Sequence, residues 1–104
     1  MTKHKVATLE TLWCGEKAQV VAGGRKILLV HVEDGIHAYA DRCAHKGVAL
    51  SEGRLELCTI VCRAHGWEYD ARTGAGINPR GVQLERYRVE VEGDDVFVEV
   101  EDGG

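Results

Sequence analysis

Alternating apolar and polar positions predict short β-strands along most of the chain. The pattern is clearest over residues 87–91 and 96–100, which are separated by a Gly-Asp-Asp turn and indicate a hairpin. Residues 19–22 and 25–32 flank a Gly-Gly turn and indicate a second hairpin of the same kind. Both segments therefore favour antiparallel pairing.

The middle of the second hairpin is more apolar than an alternating pattern requires. Residues 27–30 form a continuous apolar run, which is expected of a strand that is buried on both faces. The following Asp34-Gly35 predicts a type I′ turn, because Asp and Gly tolerate positive φ. Residues 36–40 would then form the return strand of this hairpin.

Weaker patterns complete the prediction of an all-β protein. No long amphipathic helix is indicated, and short strands with regular turns are typical of an antiparallel sandwich or barrel. The remaining segments are predicted strands at 6–8, 59–61 and 67–70, a turn at 51–53, a short helical turn or loop at 9–13, and an ordered loop at 71–78.

Composition limits the class of protein. The 104 residues fit a single domain over 1–104, with 44% hydrophobic and 29% charged residues. A net charge of −4 gives no general attraction for nucleic acid or an anionic membrane. Neither class of partner is expected.

The chain is expected to lie in the cytoplasm. Residues 1–6 contain basic side chains without an apolar run behind them, and no segment approaches the length of a membrane span. Thiols stay reduced in the cytoplasm, so a disulfide framework among the four Cys is disfavoured.

Two short stretches carry the candidate chemistry, Cys43-Ala44-His45 and Cys62-Arg63-Ala64-His65. Thiolates and imidazoles in such pairs are suited to a metal centre. Each pair follows a predicted strand, so both are expected on loops at one end of the framework if those strands are antiparallel neighbours.

Other interpretations of these residues remain open from the pattern alone. A structural Cys₂His₂ zinc module uses the same ligand types, although zinc fingers usually pair Cys with Cys and His with His at wider spacings. A nucleophilic Cys with a His is also conceivable, but it would leave the duplicated pattern unexplained.

The loops resemble those of Rieske iron–sulfur proteins, and residues 36–100 fit that family. The resemblance implies one [2Fe–2S] cluster with Cys43, His45, Cys62 and His65 as ligands, held by loops within about 41–79. It also implies a Rieske-type antiparallel β-sandwich with a two-loop cluster-binding subdomain at one end. The implied role is electron transfer, not catalysis.

The flanking residues resemble those of soluble ferredoxins. High-potential respiratory relatives carry a further Cys in each loop, joined as a disulfide, and a Ser soon after the second His. Here Val48, Ala64 and Trp67 occupy those positions. The resemblance therefore implies a potential toward the low end of the Rieske range of about −150 to +300 mV.

Within the ferredoxins, Arg63, Trp67 and residues 73–79 resemble the component of toluene and related aromatic monooxygenases. The resemblance implies a monomer that takes electrons from an NADH-dependent flavin and iron–sulfur reductase. It would pass them singly to a di-iron hydroxylase in the catabolism of aromatic hydrocarbons. A ferredoxin of a ring-hydroxylating dioxygenase is the alternative, although those usually carry Pro at the position of Arg63.

Residues outside the ligand pairs give weaker signals. Arg42, Lys46 and Arg63 adjoin the ligands and would either steer a partner or be ordinary solvated charges. Trp67 would serve either in the core or in a partner contact, and Tyr69 is predicted to be a framework residue. The residues with no expected redox or ligand role are Cys14 and Cys58, both expected to behave as small buried hydrophobes, and His4, His31 and His37.

Overall fold

The computed structural model describes residues 2–43, 47–64 and 66–100. The chain is nearly all-β and antiparallel, as the sequence predicts, with one 3₁₀ turn at Leu50–Glu52. No helix in these ranges is long and apolar enough to cross a membrane. The strands are β1 (Thr2–Thr8), β2 (Lys17–Ala22), β3 (Arg25–Val32), β4 (Gly35–Ala40), β5 (Arg54–Glu56), β6 (Thr59–Val61), β7 (Glu68–Asp70), β8 (Gly76–Asn78), β9 (Arg86–Glu92) and β10 (Asp95–Val100).

The strands form two antiparallel sheets. The larger sheet has the order β1-β10-β9-β4-β3-β2, and its outer strands β1 and β2 approach each other, so that it curves toward a barrel. The smaller sheet has the order β5-β6-β7-β8 and is an insertion between β4 and β9. The larger sheet therefore forms a framework. The smaller sheet forms a subdomain that includes much of the chain between the two Cys-containing loops.

Strand β3 is buried on both faces, as its apolar run predicts. Ile27 and Leu29 pack with β10 inside the curved sheet, whereas Leu28 and Val30 face the smaller sheet. All four side chains are fully buried. By the usual value of about 1.5–3 kcal/mol for burying such a side chain, this strand is a major source of stability for both cores.

Two strands were not predicted, and one turn differs from the prediction. β5 follows the predicted turn at 51–53 in a segment without a prediction, and β8 lies in the predicted loop at 71–78, because neither three-residue segment has the β-branched run that indicates β6. The connection between β3 and β4 is not a type I′ turn. Gly35 takes positive φ (130°), whereas Glu33 and Asp34 do not, so the glycine alone accommodates the reversal.

Candidate metal centre

Cys43 and Cys62 reach the same core from different sheets. β4 of the larger sheet leads to Cys43, and β6 of the smaller sheet leads to Cys62. The condition of neighbouring strands is therefore not met, and the two loops converge by packing of one sheet on the other. Both Cys side chains are buried together with Leu50 and Tyr69.

The two thiols are close enough to influence each other. Burial raises the pKa of the Cys62 thiol, and the adjacent Cys43 thiol raises it further, whereas a hydrogen bond with the Ala64 backbone lowers it. A buried pair of thiols that disfavours its own ionisation is suited to a cation that replaces the protons. We call the end of the molecule that carries Cys43 and Cys62 the cysteine end.

The first loop is closed by two backbone hydrogen bonds. The Cys43 N–H donates to the Val48 carbonyl at 2.7 Å, and the Gly47 N–H donates back to the Cys43 carbonyl at 2.8 Å. Gly47 takes a φ of 70°, which a residue with a Cβ rarely adopts. The glycine therefore lets the loop turn back on its own cysteine.

The second loop repeats this arrangement. The Cys62 N–H donates to the Trp67 carbonyl at 2.8 Å, and the Gly66 N–H donates to the Cys62 carbonyl at 3.2 Å. Gly66 takes a φ of 69° and follows its cysteine by four residues, as Gly47 follows Cys43. The two loops thus present their cysteines in matching backbone frames, which the sequence shows only as two Cys-x₃-Gly spacings.

The buried carboxylate of Asp41 supports the backbone at the start of the first loop. Asp41 accepts hydrogen bonds from the Ser51 N–H at 2.7 Å, the Ser51 hydroxyl at 2.6 Å and the Gln19 side-chain amide at 2.5 Å. These contacts tie the start of the loop to the 3₁₀ turn and to β2. Because a buried carboxylate is costly without partners, the network fixes the backbone just before Cys43.

Two buried tyrosines lie beneath the loops. The Tyr69 hydroxyl lies 3.2 Å from the Cys43 sulfur. The Tyr39 hydroxyl donates to the Ala71 carbonyl at 2.7 Å, and burial raises the pKa of Tyr39 to about 12. The sequence predicts only a framework role for Tyr69, and the one signal for its contact with Cys43 is its position after the second ligand pair.

Cys43 and Cys62 are the two proposed ligands that the structure places. His45 and His65, and also Lys46, lie outside the described residues. Among the described residues, no group of three or more His, Cys, Asp and Glu side chains is placed to hold a metal ion. The donor set nevertheless fits an iron–sulfur centre, because two buried thiols meet in matching loops and the sequence supplies one His to each loop.

The other singled-out residues lie away from this centre or beside it. Cys14 is exposed, so the prediction that it is buried is wrong, and Cys58 is half-buried. Both line a cavity of about 350 Å³ between the β3–β4 and β5–β6 turns, at the end opposite to the cysteine end. Trp67 is half-buried and packs against the core that contains both ligand cysteines. His31 and His37 lie on β3 and β4, and His4 lies on β1, which begins earlier than the strand predicted at 6–8.

Two thiol-bearing loops on an all-β framework define a metal-binding domain, and the comparison with known proteins identifies which one. The family model for the Rieske [2Fe–2S] domain matches residues 2–88. The chain belongs to the Rieske [2Fe–2S] family. It therefore carries one [2Fe–2S] cluster, which decides against the zinc module.

Two curated relatives that match nearly the whole chain are ferredoxin components. The ferredoxin component of the alkene monooxygenase system of Xanthobacter autotrophicus is 38% identical over 92% of this chain and 80% of its own length. The ferredoxin component of the biphenyl 2,3-dioxygenase of Rhodococcus jostii is 36% identical over 99% of this chain and 97% of its own. The ferredoxin of carbazole 1,9a-dioxygenase from Nocardioides aromaticivorans superposes with a TM-score of 0.88 at 28% identity, covering 97% and 100% of the two chains.

These similarities show that the protein is a Rieske ferredoxin, an electron carrier and not an enzyme. A bound [2Fe–2S] cluster supplies the one-electron redox chemistry. The chain's own contribution is to hold the thiols in fixed frames, exclude water from Cys43 and Cys62, and place the Tyr69 hydroxyl beside one sulfur.

Proposed function

We propose that Cys43, His45, Cys62 and His65 are the four cluster ligands. The observation that carries this proposal is the matching pair of loops, in which each buried cysteine is followed by a glycine of positive φ. In each loop, a single His lies between that cysteine and that glycine in the sequence. One thiolate and one imidazole per loop supply the mixed ligand set of a Rieske centre.

Substitution of single ligands tests this assignment. His45→Ala and His65→Ala should each abolish the visible absorption and the rhombic EPR signal of the reduced protein, and should lower the iron content. Cys14→Ser is the matched control, because Cys14 is exposed at the other end of the molecule. A fully loaded cluster in either His variant would contradict the proposed ligand set.

We further propose that the ferredoxin passes single electrons from an NADH-dependent reductase, containing flavin and an iron–sulfur centre, to a di-iron aromatic monooxygenase. Support comes from Arg63, Trp67 and residues 73–79, which resemble the ferredoxins of such systems, and from the alkene monooxygenase relative. This role places the protein in the catabolism of aromatic hydrocarbons.

A dioxygenase system is the second candidate partner. It is favoured by the biphenyl dioxygenase ferredoxin, whose similarity extends over almost the full length of both chains. The test mixes the reduced ferredoxin with a purified di-iron aromatic hydroxylase or with a Rieske dioxygenase, and follows product formation with NADH and reductase. Turnover with the dioxygenase alone would overturn the monooxygenase assignment.

The remaining expectations accompany this proposal. We propose a single domain over residues 1–104 that acts as a monomer in the bacterial cytoplasm. Among the described residues, which include all four cysteines, no disulfide is formed, and this agrees with a reducing compartment. Sedimentation of the loaded protein at a mass near 11.4 kDa would support the monomer.

A further inference from the structure

Cationic side chains collect at the cysteine end. Arg42 and Arg63 adjoin Cys43 and Cys62, and both are exposed. Arg54 pairs with Val61 across β5 and β6 and lines a shallow cavity together with Cys62 and Arg63. Arg80 is exposed and follows β8, whose Asn78 pairs with Glu68 at the same level of the small sheet. We call Arg42, Arg54, Arg63 and Arg80 the basic rim.

The acidic side chains near the rim only partly compensate its charge. Glu52 forms a salt bridge with Arg63 at 3.2 Å, but both side chains are more than half exposed, so the pair is screened. Asp41 is buried, and its carboxylate is engaged by Ser51 and Gln19. Arg54 forms a salt bridge with Glu56 at 3.7 Å, again between exposed side chains. The exposed Glu85 lines a cavity together with Arg42 and Cys43. Within the described residues, neither Arg42 nor Arg80 forms a salt bridge.

Strand directions place most of the exposed acidic residues at the other end, with Glu52 and Glu85 as the exceptions at the cysteine end. β4 and β6 both run toward the cysteines, so the turns that precede them lie at the opposite end. β9 pairs with Tyr39 at its start and runs away from the cysteines, and the turn after it accepts a hydrogen bond from the Leu9 N–H. The exposed acids of these turns and of the β1–β2 connection are Glu10, Glu16, Glu33, Asp34, Glu92 and Asp94.

We propose that this charge separation orients the ferredoxin during encounter, so that the cysteine end meets an acidic surface around the electron-accepting site of its oxygenase. The protein has a net charge of −4, and a uniform distribution would repel such a surface. The basic rim makes the local potential at the cysteine end positive, while the acidic residues at the opposite end face away from the partner. The identity of the partner rests on the proposed function, but the sign of the field at the cysteine end does not.

Small charged oxidants test the local sign without any partner protein. The reduced ferredoxin gives one electron to hexacyanoferrate(III), which becomes hexacyanoferrate(II), or to the cation tris(phenanthroline)cobalt(III), which becomes the cobalt(II) complex. With a basic rim, stopped-flow rates for the anion should fall as salt rises from about 10 to 300 mM, because screening removes an attraction. A rate for the anion that rises with salt, as the net charge alone requires, would overturn the proposal.

Matched charge reversals separate the rim from the net charge. Arg54→Glu and Arg80→Glu should each slow the low-salt reaction with hexacyanoferrate(III) by about three- to tenfold, and the difference should vanish at high salt. Lys5→Glu changes the net charge by the same amount on β1, where Lys5 contacts Asp95, and should change the rate less than twofold. Equal effects of all three reversals would show that only the net charge matters.

A second arm addresses the partner. Reduced wild-type ferredoxin is mixed with the purified oxygenase at increasing salt, and the rate should fall with salt more steeply than for Arg80→Glu. If the wild-type protein transfers electrons but shows no salt dependence, the acidic docking surface is refuted. If it transfers none to either oxygenase class, the proposed function fails while the hexacyanoferrate result stands.

Discussion

The Tyr69 hydroxyl lies 3.2 Å from the sulfur of Cys43 inside the core. In the loaded protein, an O–H that donates to this sulfur would favour the reduced cluster, which carries one more negative charge. Tyr69→Phe should therefore lower the midpoint potential. A net hydrogen-bond energy of about 0.5–1.5 kcal/mol corresponds to roughly 20–65 mV for one electron. A redox titration followed by visible absorption or EPR measures this shift.

Tyr39→Phe is the matched control for that titration. It removes the same atom from a second buried tyrosine, whose hydroxyl donates to the Ala71 carbonyl. Its effect on the midpoint should be within about 10 mV, since a neutral bond to the backbone changes little on reduction. Equal shifts in both variants would contradict a specific bond between Tyr69 and Cys43.

Tyr39 should also make stability depend on pH in the alkaline range. Burial raises the pKa of Tyr39 from 10.0 to about 12, so the folded state retains the phenolic proton that the unfolded chain loses. Its contribution is complete below pH 10 and is lost as the pH rises toward 12. Tyr39→Phe should cost about 1 kcal/mol at pH 8. This deficit should shrink and then change sign between pH 10 and 12, because the difference between a pKa of 10.0 and one of about 12 is worth more than the lost hydrogen bond. Urea unfolding at several pH values measures it, and a constant deficit would contradict the raised pKa.

For individual residues, the sequence predicts the chemical role better than it predicts burial and side-chain contacts. The spacing of Cys43, His45, Cys62 and His65 identifies the candidate ligands, because few other centres combine these donors in this way. It does not show that Cys14 is exposed, since a lone cysteine carries no periodicity. The contact of Tyr69 with Cys43 depends on long-range packing, so it cannot be predicted from the sequence either.

At the scale of elements, Gly53 and Gly66 require glycine for two different reasons, a close backbone contact at Gly53 and a positive φ at Gly66. Gly66 has positive φ, and a Cβ added there would meet only open space, so Gly66→Ala should cost only the backbone strain of about 1 kcal/mol. Gly53 has ordinary φ, but its Cβ would lie 2.0 Å from the Val61 carbonyl oxygen. Gly53→Ala should therefore force β5 from β6 and cost about 3 kcal/mol.

Thermal unfolding followed by circular dichroism distinguishes the two glycines. Gly24→Ala is the control, because Gly24 also has positive φ and open space but lies in the β2–β3 turn. Its loss of stability should match that of Gly66→Ala, whereas Gly53→Ala should lower the midpoint clearly further. The opposite order would show that loop strain, not the contact with β6, dominates.

The sequence shows a clear pattern mainly in the longer strands. β6 and β7 have three residues each and are predicted from β-branched residues and from their position beside the ligand pairs. β9, β10 and the fully apolar part of β3 belong to strands of six residues or more. β5 and β8 have three residues each and owe their pairing to β6 and β7, so local pattern cannot predict them. Propensity alone is a weak guide where a neighbouring strand decides the structure.

At the scale of the whole molecule, the centre lies between two sheets. The sequence predicts that each cysteine follows a strand, but not that those strands belong to different sheets. The smaller sheet, which is inserted as β5 to β8, packs against β3 and β4 through a shared core. This packing also aligns the strands so that one end gathers both cysteines and the basic rim.

The same arrangement leads to a prediction for the midpoint potential of the intact protein. Trp67 stands where high-potential relatives have a Ser, so the hydroxyl that would donate to the cluster from that position is missing. In the part of the chain that the structure describes, which holds all four cysteines, no disulfide stiffens the loops. We therefore expect a midpoint below about +100 mV, toward the lower end of the range from about −150 to +300 mV. Redox titration should give the same value before and after incubation with a thiol reductant. A midpoint above about +100 mV, or one that the reductant shifts, would show that features other than these set the potential.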